Sequence, residues 1–357
     1  MKAIAVTPMK SDSLRLLDLS VPVPGKRELL LEVQRIGICG TDRDIISGRY
    51  GEAPKGSDYL VVGHESLSRV EKAGRGVEGF RKGDLVVPTV RRNCWENCLN
   101  CKGGESDMCL TGDYKEHGIK GLHGFASEFA VTDSSFVVKL PESLSELGVL
   151  LEPMSVVEKG LVQIYEIQNR MKWEPKEALV LGSGPVGLLA TAILKLGGLD
   201  VKTLATRSRN SLKARLVEST GSKYINANET PIESLDHKFD MVFEITGNPT
   251  VALQAQDLIR VNGVACFIGL YRNQQGAGID IGKSFTDLVL GNKLHFGSVN
   301  ANRSYFEKGA KDLVKIRKKW PGLLEKIITR KAKPEDLGKA YRPESQEEIK
   351  TIIEFKR

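Results

Sequence analysis

The sequence predicts an α/β protein in two parts, a β-rich portion followed by a doubly wound parallel sheet. Three observations predict it. At 357 residues the chain is long for a single hydrophobic core, so two domains are expected. The first third breaks into short apolar runs separated by glycines and prolines. Beyond about residue 153, strand-like and helix-like segments alternate as they do in a parallel sheet with crossover helices.

Taken in order, Leu29-Leu30-Leu31-Glu32-Val33 and Asp84-Leu85-Val86-Val87 read as strands and Val21-Pro22-Val23-Pro24-Gly25 as a turn, a spacing that suits a compact all-β unit. Ala178-Leu179-Val180-Leu181 reads as a buried strand, residues 185–196 carry helical periodicity, and residues 201–205 read as a further strand, which together make a βαβ unit. Phe239-Asp240-Met241-Val242-Phe243-Glu244, Gly263-Val264-Ala265-Cys266-Phe267-Ile268-Gly269 and Lys293-Leu294-His295-Phe296-Gly297-Ser298-Val299 continue the sheet. Charged, helix-like sequence runs from there to Arg357 and is expected to pack back on the first domain. The chain has no internal repeat and no low-complexity tract.

Composition narrows the class of function. With 41% hydrophobic and 27% charged residues the chain is an ordinary globular one, and no apolar run is long enough to span a bilayer. Met1-Lys2-Ala3-Ile4-Ala5-Val6 opens no long apolar stretch and precedes no small-residue cleavage site, so a cytoplasmic protein with no membrane partner is expected. In that reducing compartment, closely spaced cysteines serve as metal ligands more readily than as disulfides. The net charge of +7 is spread among interleaved acids, without an aromatic-basic RNA motif or a helix-turn-helix pattern, so no nucleic-acid partner is expected.

Gly182-Ser183-Gly184-Pro185-Val186-Gly187 follows a strand and opens a helix. The first glycine permits the tight turn, the second lets a pyrophosphate approach the backbone, and the third lets helix and strand pack closely. The strand before and the helix after favour a dinucleotide site over a plain glycine turn. An acid at the end of the second strand would grip the ribose hydroxyls of NAD, but the sequence there is Ala205-Thr206-Arg207-Ser208-Arg209. Two guanidiniums and two hydroxyls suit a 2′-phosphate, so NADP is the expected cofactor with NAD tolerated; the alternative is a pair of solvated loop charges.

Cys94-x3-Cys98-x2-Cys101-x7-Cys109 reads as a closed structural zinc site, with redox-active or merely buried thiols as the alternatives. Polar residues surround it, so a metal would supply folding energy that packing cannot. Cys39 and His64-Glu65 are weaker signals, each alone equally a core or surface residue. Glycines flank both ligands, at Gly40 and Gly63, and Glu152 lies in an apolar stretch where an unpaired carboxylate would be costly. One thiolate, one imidazole and a carboxylate would leave a zinc ion an open position, which is what catalysis needs.

The motifs Cys39-Gly40-Thr41-Asp42, Gly63-His64-Glu65, Gly83-Asp84-x-Val86, the four-cysteine lobe and the Gly182 turn, in that order, resemble the zinc-dependent medium-chain alcohol dehydrogenases along nearly the whole chain. Val87-Pro88-Thr89-Val90-Arg91-Arg92, Gly118-Ile119-x2-Leu122-His123-Gly124-Phe125, Glu152-Pro153-x-Ser155-x2-Glu158-Lys159 and Gly297-Ser298-Val299-Asn300 resemble archaeal glucose 1-dehydrogenases more closely still. The resemblance implies a GroES-like, barrel-like catalytic domain over residues 1–153, a Rossmann NADP-binding domain over 154–299, a C-terminal segment over 300–357 that completes the catalytic domain, and a homotetramer or dimer. It puts Cys39, His64 and Glu65 on catalytic zinc-ligand positions and Glu152 on a position that binds zinc or the sugar. It puts Thr41 on the hydroxyl that contacts the reacting oxygen, and Glu116 and Asn300 on sugar-binding positions. Ile268, Gly269 and Leu270, with Ser298, Val299 and Asn300, complete the expected cofactor contacts.

This chain departs from the pattern in places. Three residues rather than two separate the first cysteines of the lobe, Ser68 replaces a glycine, and Val156 and Leu290 stand where a close relative carries a sugar-binding acid and a histidine. The implied reaction is oxidation of an aldose, D-glucose or also D-galactose, at C1 to the aldonolactone, with Thr41 receiving the proton and NADP the hydride. A polyol, secondary-alcohol or amino-alcohol dehydrogenase of the same family is the nearest alternative. A non-catalytic relative that binds NADP or RNA is the alternative from another class.

Overall fold

The computed structural model describes residues 1–271 and 281–355, which fall into two compact units. One gathers Met1–Ser155, Asn300–Val314 and Ile327–Arg357, and the other Val156–Val299 with Lys315–Lys326. Among the described residues no helix is long and apolar enough to cross a membrane.

The hub of the first unit is the strand Glu28–Gly37, whose apolar residues Leu29, Leu31, Val33 and Ile36 are buried. One edge pairs with Glu65–Ala73, whereas the other is shared, Phe129–Asp133 taking its first half and Lys350–Glu354 its second. Leu85–Pro88 and Val137–Lys139 extend the sheet on one side and Ile328–Ala332 on the other. The core includes Ile4, Val33, Ile36, Ile45, Phe125 and, from the far end of the chain, Tyr341 and Ile353.

The expectation of helix-like sequence to Arg357 is corrected here. Arg303–Lys319 is helical, but Ile328–Ala332 and Lys350–Glu354 are strands. Charged residues mask the β-branched Thr351, Ile352 and Ile353, and pairing with the hub strand decides the outcome.

In the second unit the strands Glu177–Leu181, Asp200–Ala205, Lys223–Asn226, Phe239–Glu244, Ile259–Phe267 and Leu294–Gly297 form one parallel sheet. Numbered along this unit their order is 3-2-1-4-5-6, the doubly wound dinucleotide-binding order. Every residue of Phe239–Glu244 is buried, as a central parallel strand requires. The helix Pro185–Leu196 falls where periodicity expected it, and the final strand is shorter than residues 293–299.

Pairing in the first unit sets Gly37 opposite Glu65, with Ile352 on its other side. The site has no room for a side chain, because a Cβ on Gly37 would run into Glu65 Oε2 and lie 2.9 Å from Lys350 Cε. Gly37→Ala should therefore lower the unfolding free energy by about 2 kcal/mol through overpacking. Urea denaturation checks this, and an unchanged midpoint would remove the constraint.

Candidate active site

Cys39 ends the hub strand's extension and caps the helix Gly40–Ile46. The Asp42 carboxylate accepts from the Cys39 amide at 2.9 Å, while Cys39 Sγ accepts from the Thr41 amide at 3.2 Å. This reciprocal cap holds the thiol over the N-terminus of the helix. Immediately before the neighbouring strand Glu65–Ala73, His64 Nε2 lies 3.1 Å from Cys39 Sγ, and its Nδ1 lies 3.3 Å from Asp42 Oδ1. Gly63, at φ +86°, makes the turn that presents His64, and its neighbours Gly118 and Gly124 pack their backbones directly on it.

Electrostatics bind these groups together. Burial opposes a charge on His64, but Cys39 and Asp42 outweigh it and hold the imidazole pKa well above its ordinary value. Burial likewise opposes ionisation of Asp42, yet His64 and the Cys39 amide keep its carboxyl below the usual range. Glu65, almost fully buried, is paired with the equally buried ammonium of Lys350. Glu152 opens the helix Leu151–Gln168; burial pushes its pKa up to about 7, with His64 opposing and Glu65 adding to the rise.

The ligand atoms of Cys39, His64 and Glu65 lie within 4.8 Å of one another, whereas Glu152 falls outside that cluster. A tetrahedral ion at about 2.3 Å from sulfur and about 2.1 Å from nitrogen holds those two atoms about 3.6 Å apart. The observed 3.1 Å needs only a small opening and loss of the proton between them. The donor set therefore fits zinc, with Asp42 orienting the imidazole from its other nitrogen. Sequence reasoning gave no role to Asp42 or Lys350. The cap position three residues after Cys39 was a signal for Asp42, and nothing near Glu65 in the sequence points to Lys350.

Cys94, Cys98, Cys101 and Cys109 also converge within 4.8 Å, where a tetrahedral zinc keeps sulfurs about 3.8 Å apart. Amides of Cys101 and Leu110 lower the Cys98 thiol to about 6, and burial raises Cys101. Backbone N–H groups also reach the sulfurs, from Cys98 to Cys94 at 3.3 Å and from Leu110 to Cys98 at 3.4 Å. The extra residue between Cys94 and Cys98 is absorbed by Asn97 in the left-handed region, φ +48°. These are the two converging groups of three or more His, Cys, Asp or Glu among the described residues.

Glu116 and Asn300 meet, Asn300 Nδ2 donating to Glu116 Oε1 at 3.0 Å. Thr41 is partly buried beside Cys39, Ser68 is buried and bonded to Ser66 at 2.8 Å, and Leu290 is exposed at the end of the helix Ile281–Leu290.

In the second unit Gly182 has φ +108°, Gly184 caps the helix, and a Cβ on Gly187 would strike the Gly182 carbonyl. Ser183, Pro185 and Val186 thus sit on a turn that offers helix N–H groups to a phosphate. After the second strand, the carbonyl of Arg207 accepts from Tyr224 at 2.7 Å and that of Thr206 from Asn228 at 2.8 Å; Ser208 is exposed. Arg209 is paired with Glu229 at 2.6 Å. The amides of Ile268 and Gly269 donate to the Glu244 carbonyl, with Leu270 exposed beyond them. Ser298 donates to the Phe267 carbonyl, and Lys159 Nζ donates to the Val299 carbonyl at 3.0 Å.

Comparison with known proteins agrees with this geometry. Residues 25–142 match the alcohol dehydrogenase GroES-like domain, and residues 145–355 match the glucose dehydrogenase C-terminus. The class is thus a zinc-type medium-chain dehydrogenase, a GroES-like domain joined to a Rossmann sheet. Within it, the chain belongs to the glucose dehydrogenase family. It is 46% identical to a glucose 1-dehydrogenase of Methanocella arvoryzae and 44% to glucose 1-dehydrogenase 1 of Caldivirga maquilingensis, covering 99% of each and of itself. The structure of Haloferax mediterranei glucose dehydrogenase in complex with NADP, Zn and gluconolactone superposes with a TM-score of 0.92 at 33% identity, covering 100% of both chains.

Cys109→Ser should release one zinc per chain and lower the melting temperature by about 5 °C or more, because metal binding there contributes directly to folding. Metal analysis with a thermal melt checks this; unaltered zinc content and melting point would refute the structural role.

Proposed function

We propose that the chain is an NADP-dependent glucose 1-dehydrogenase that oxidises D-glucose at C1 to the aldonolactone. The observation that carries this reading is the convergence of Cys39, His64 and Glu65 in a chain 44–46% identical to glucose 1-dehydrogenases. Zinc held by these three residues supplies a Lewis acid, and NADP supplies the hydride acceptor. Cys39 and His64 face each other as ligands, Asp42 fixes the imidazole, and Lys350 fixes Glu65. Thr41 receives the proton from the anomeric hydroxyl and passes it to solvent. Glu116 and Asn300 hold sugar hydroxyls, and Glu152 serves as a further zinc or sugar ligand. Other aldoses such as D-galactose are substrates to the extent that these contacts accept them.

The Gly182–Gly187 turn carries the pyrophosphate and Arg207 the 2′-phosphate, with Thr206, Ser208 and Arg209 beside it. Ile268, Gly269, Leu270, Ser298 and Val299 line the nicotinamide side. The first unit acts as the catalytic domain and the second as the cofactor domain, in the cytoplasm. NAD serves as a weaker substitute because nothing in Thr206 to Arg209 grips its ribose with a carboxylate.

The enzyme assembles as a homo-oligomer, dimer or tetramer. Leu294–Gly297 ends the parallel sheet among the described residues, and Phe285, Val289, Leu290 and Val299 nearby in sequence are more than half exposed. Light scattering at micromolar concentration should give a multiple of the 39.3 kDa chain mass; a monomer would sink this part of the reading.

Two variants test the chemistry. Cys39→Ala should cut glucose turnover by about a thousandfold, the scale of a lost Lewis acid, while the Kd for NADP stays near wild type. Arg207→Ala should raise the KM for NADP by about tenfold or more and that for NAD far less, as loss of a charge-assisted phosphate contact predicts. Steady-state rates with both cofactors decide, and unchanged turnover in the first variant or an unchanged NADP KM in the second would remove that residue from its role.

A further inference from the structure

The four-cysteine lobe and Glu116 are joined by one side chain. Arg91 lies on the short strand Arg91–Arg92, directly opposite Glu116 on Lys115–His117. Its Nε and Nη2 reach Glu116 Oε1 at 3.1 and 3.0 Å. Its remaining nitrogen, Nη1, donates to the carbonyl of Asp107 at 3.0 Å. Asp107 belongs to the single turn Ser106–Met108 that runs straight into Cys109. The guanidinium face is stacked on Tyr114, with 3.5 Å from Cζ to the ring centroid, and both Arg91 and Glu116 are almost fully buried.

This arrangement does more than neutralise a charge. Two nitrogens of Arg91 and the amide nitrogen of Asn300 reach the same carboxylate oxygen, Oε1, so the other oxygen, Oε2, takes none of these contacts. Asn300 adopts the left-handed conformation, φ +58°, and its Oδ1 is tied down by the Ala301 amide at 2.8 Å. The carboxylate is therefore clamped from two sides, and one clamp is anchored on the lobe. Asn100 anchors the same turn from inside the lobe, donating to the Met108 carbonyl at 2.7 Å. Arginine suits this task because its planar fork places separate nitrogens against the two acceptors at once, whereas a lysine ammonium carries its donors on a single atom and lacks that fixed span.

We propose that Arg91 is a positioning residue that transmits the geometry of the four-cysteine lobe to Glu116 and thereby sets affinity for the sugar. The lobe then does two jobs, holding its own fold and aiming a substrate contact. The proposal rests on Glu116 being a sugar-binding residue.

The test uses full-length enzyme and reads glucose binding directly, by calorimetric titration of glucose into the NADPH complex, where no hydride can be transferred. KM values for glucose and NADP, zinc content and melting temperature are measured alongside. Arg91→Lys should weaken glucose binding by about tenfold, the scale of a lost charge-assisted bond, with two zinc ions retained and the KM for NADP within about twofold. Glu116→Gln should weaken it comparably, and the double variant should bind no worse than the weaker single one, since both act through one carboxylate. Cys109→Ser, or Asn100→Ala should the first not fold, should weaken glucose binding without adding to the effect of Arg91→Lys.

Unchanged glucose affinity in Arg91→Lys, or effects of Arg91→Lys and Glu116→Gln that multiply, would overturn the proposal. A lobe variant that loses only thermal stability would overturn the link to the lobe. If Glu116→Gln itself binds glucose normally, the reading of Glu116 has failed, and that outcome is distinct from a failure of Arg91 alone.

Discussion

Glu65 and Lys350 form an ion pair almost wholly out of water, at a point where the hub strand has only a glycine to separate them. Taking two charges from water costs several kcal/mol each, and their attraction offsets this only when the geometry is good. The geometry here is set by main-chain pairing: Gly37 lies between Glu65 on one strand and Ile352 on the other, so each side chain crosses the same gap. Either residue alone would be an uncompensated buried charge. Because Glu65 is next to His64, this pair also fixes the strand from which the imidazole faces Cys39 and Asp42.

Much of the second unit was legible because its chemistry is local. The Gly182 to Gly187 turn needs its strand immediately before and its helix immediately after, and all three are contiguous in sequence. The cysteine lobe is local in the same way. The first unit was harder, since its decisive contacts are between distant segments. Lys350 and the strand around it were hidden in charged sequence, and no spacing rule connects them to Glu65. Asp42 stood in plain view beside Cys39, but its role depends on His64 arriving from another strand. Arg91 was visible only as part of a motif, its bridging function being a matter of which atoms its fork can reach.

The two cysteine groups differ in what surrounds them rather than in the sulfur itself. Around the lobe, backbone N–H groups point at the sulfurs and little apolar packing is available, since even Trp95, Leu99 and Leu110 lie mostly in solvent. Around Cys39, a helix cap, an imidazole and two acids are packed into a buried space. The first environment favours a closed ion that organises a loop. The second supplies three ligands of different kinds, with second partners already holding His64 and Glu65.

The pairing of Glu65 with Lys350 also has a temporal side. The two residues are far apart along the chain, and the strand that carries Lys350 leaves the ribosome long after Cys39, His64 and Glu65. Until it emerges, the hub strand lacks the partner for its second half and Glu65 has no cation. A nascent chain thus holds the glycine turn and the cysteine lobe before Lys350 appears, and the centre around Cys39 is completed only after it, so a product truncated ahead of Lys350 would retain cofactor-binding parts without a finished metal site.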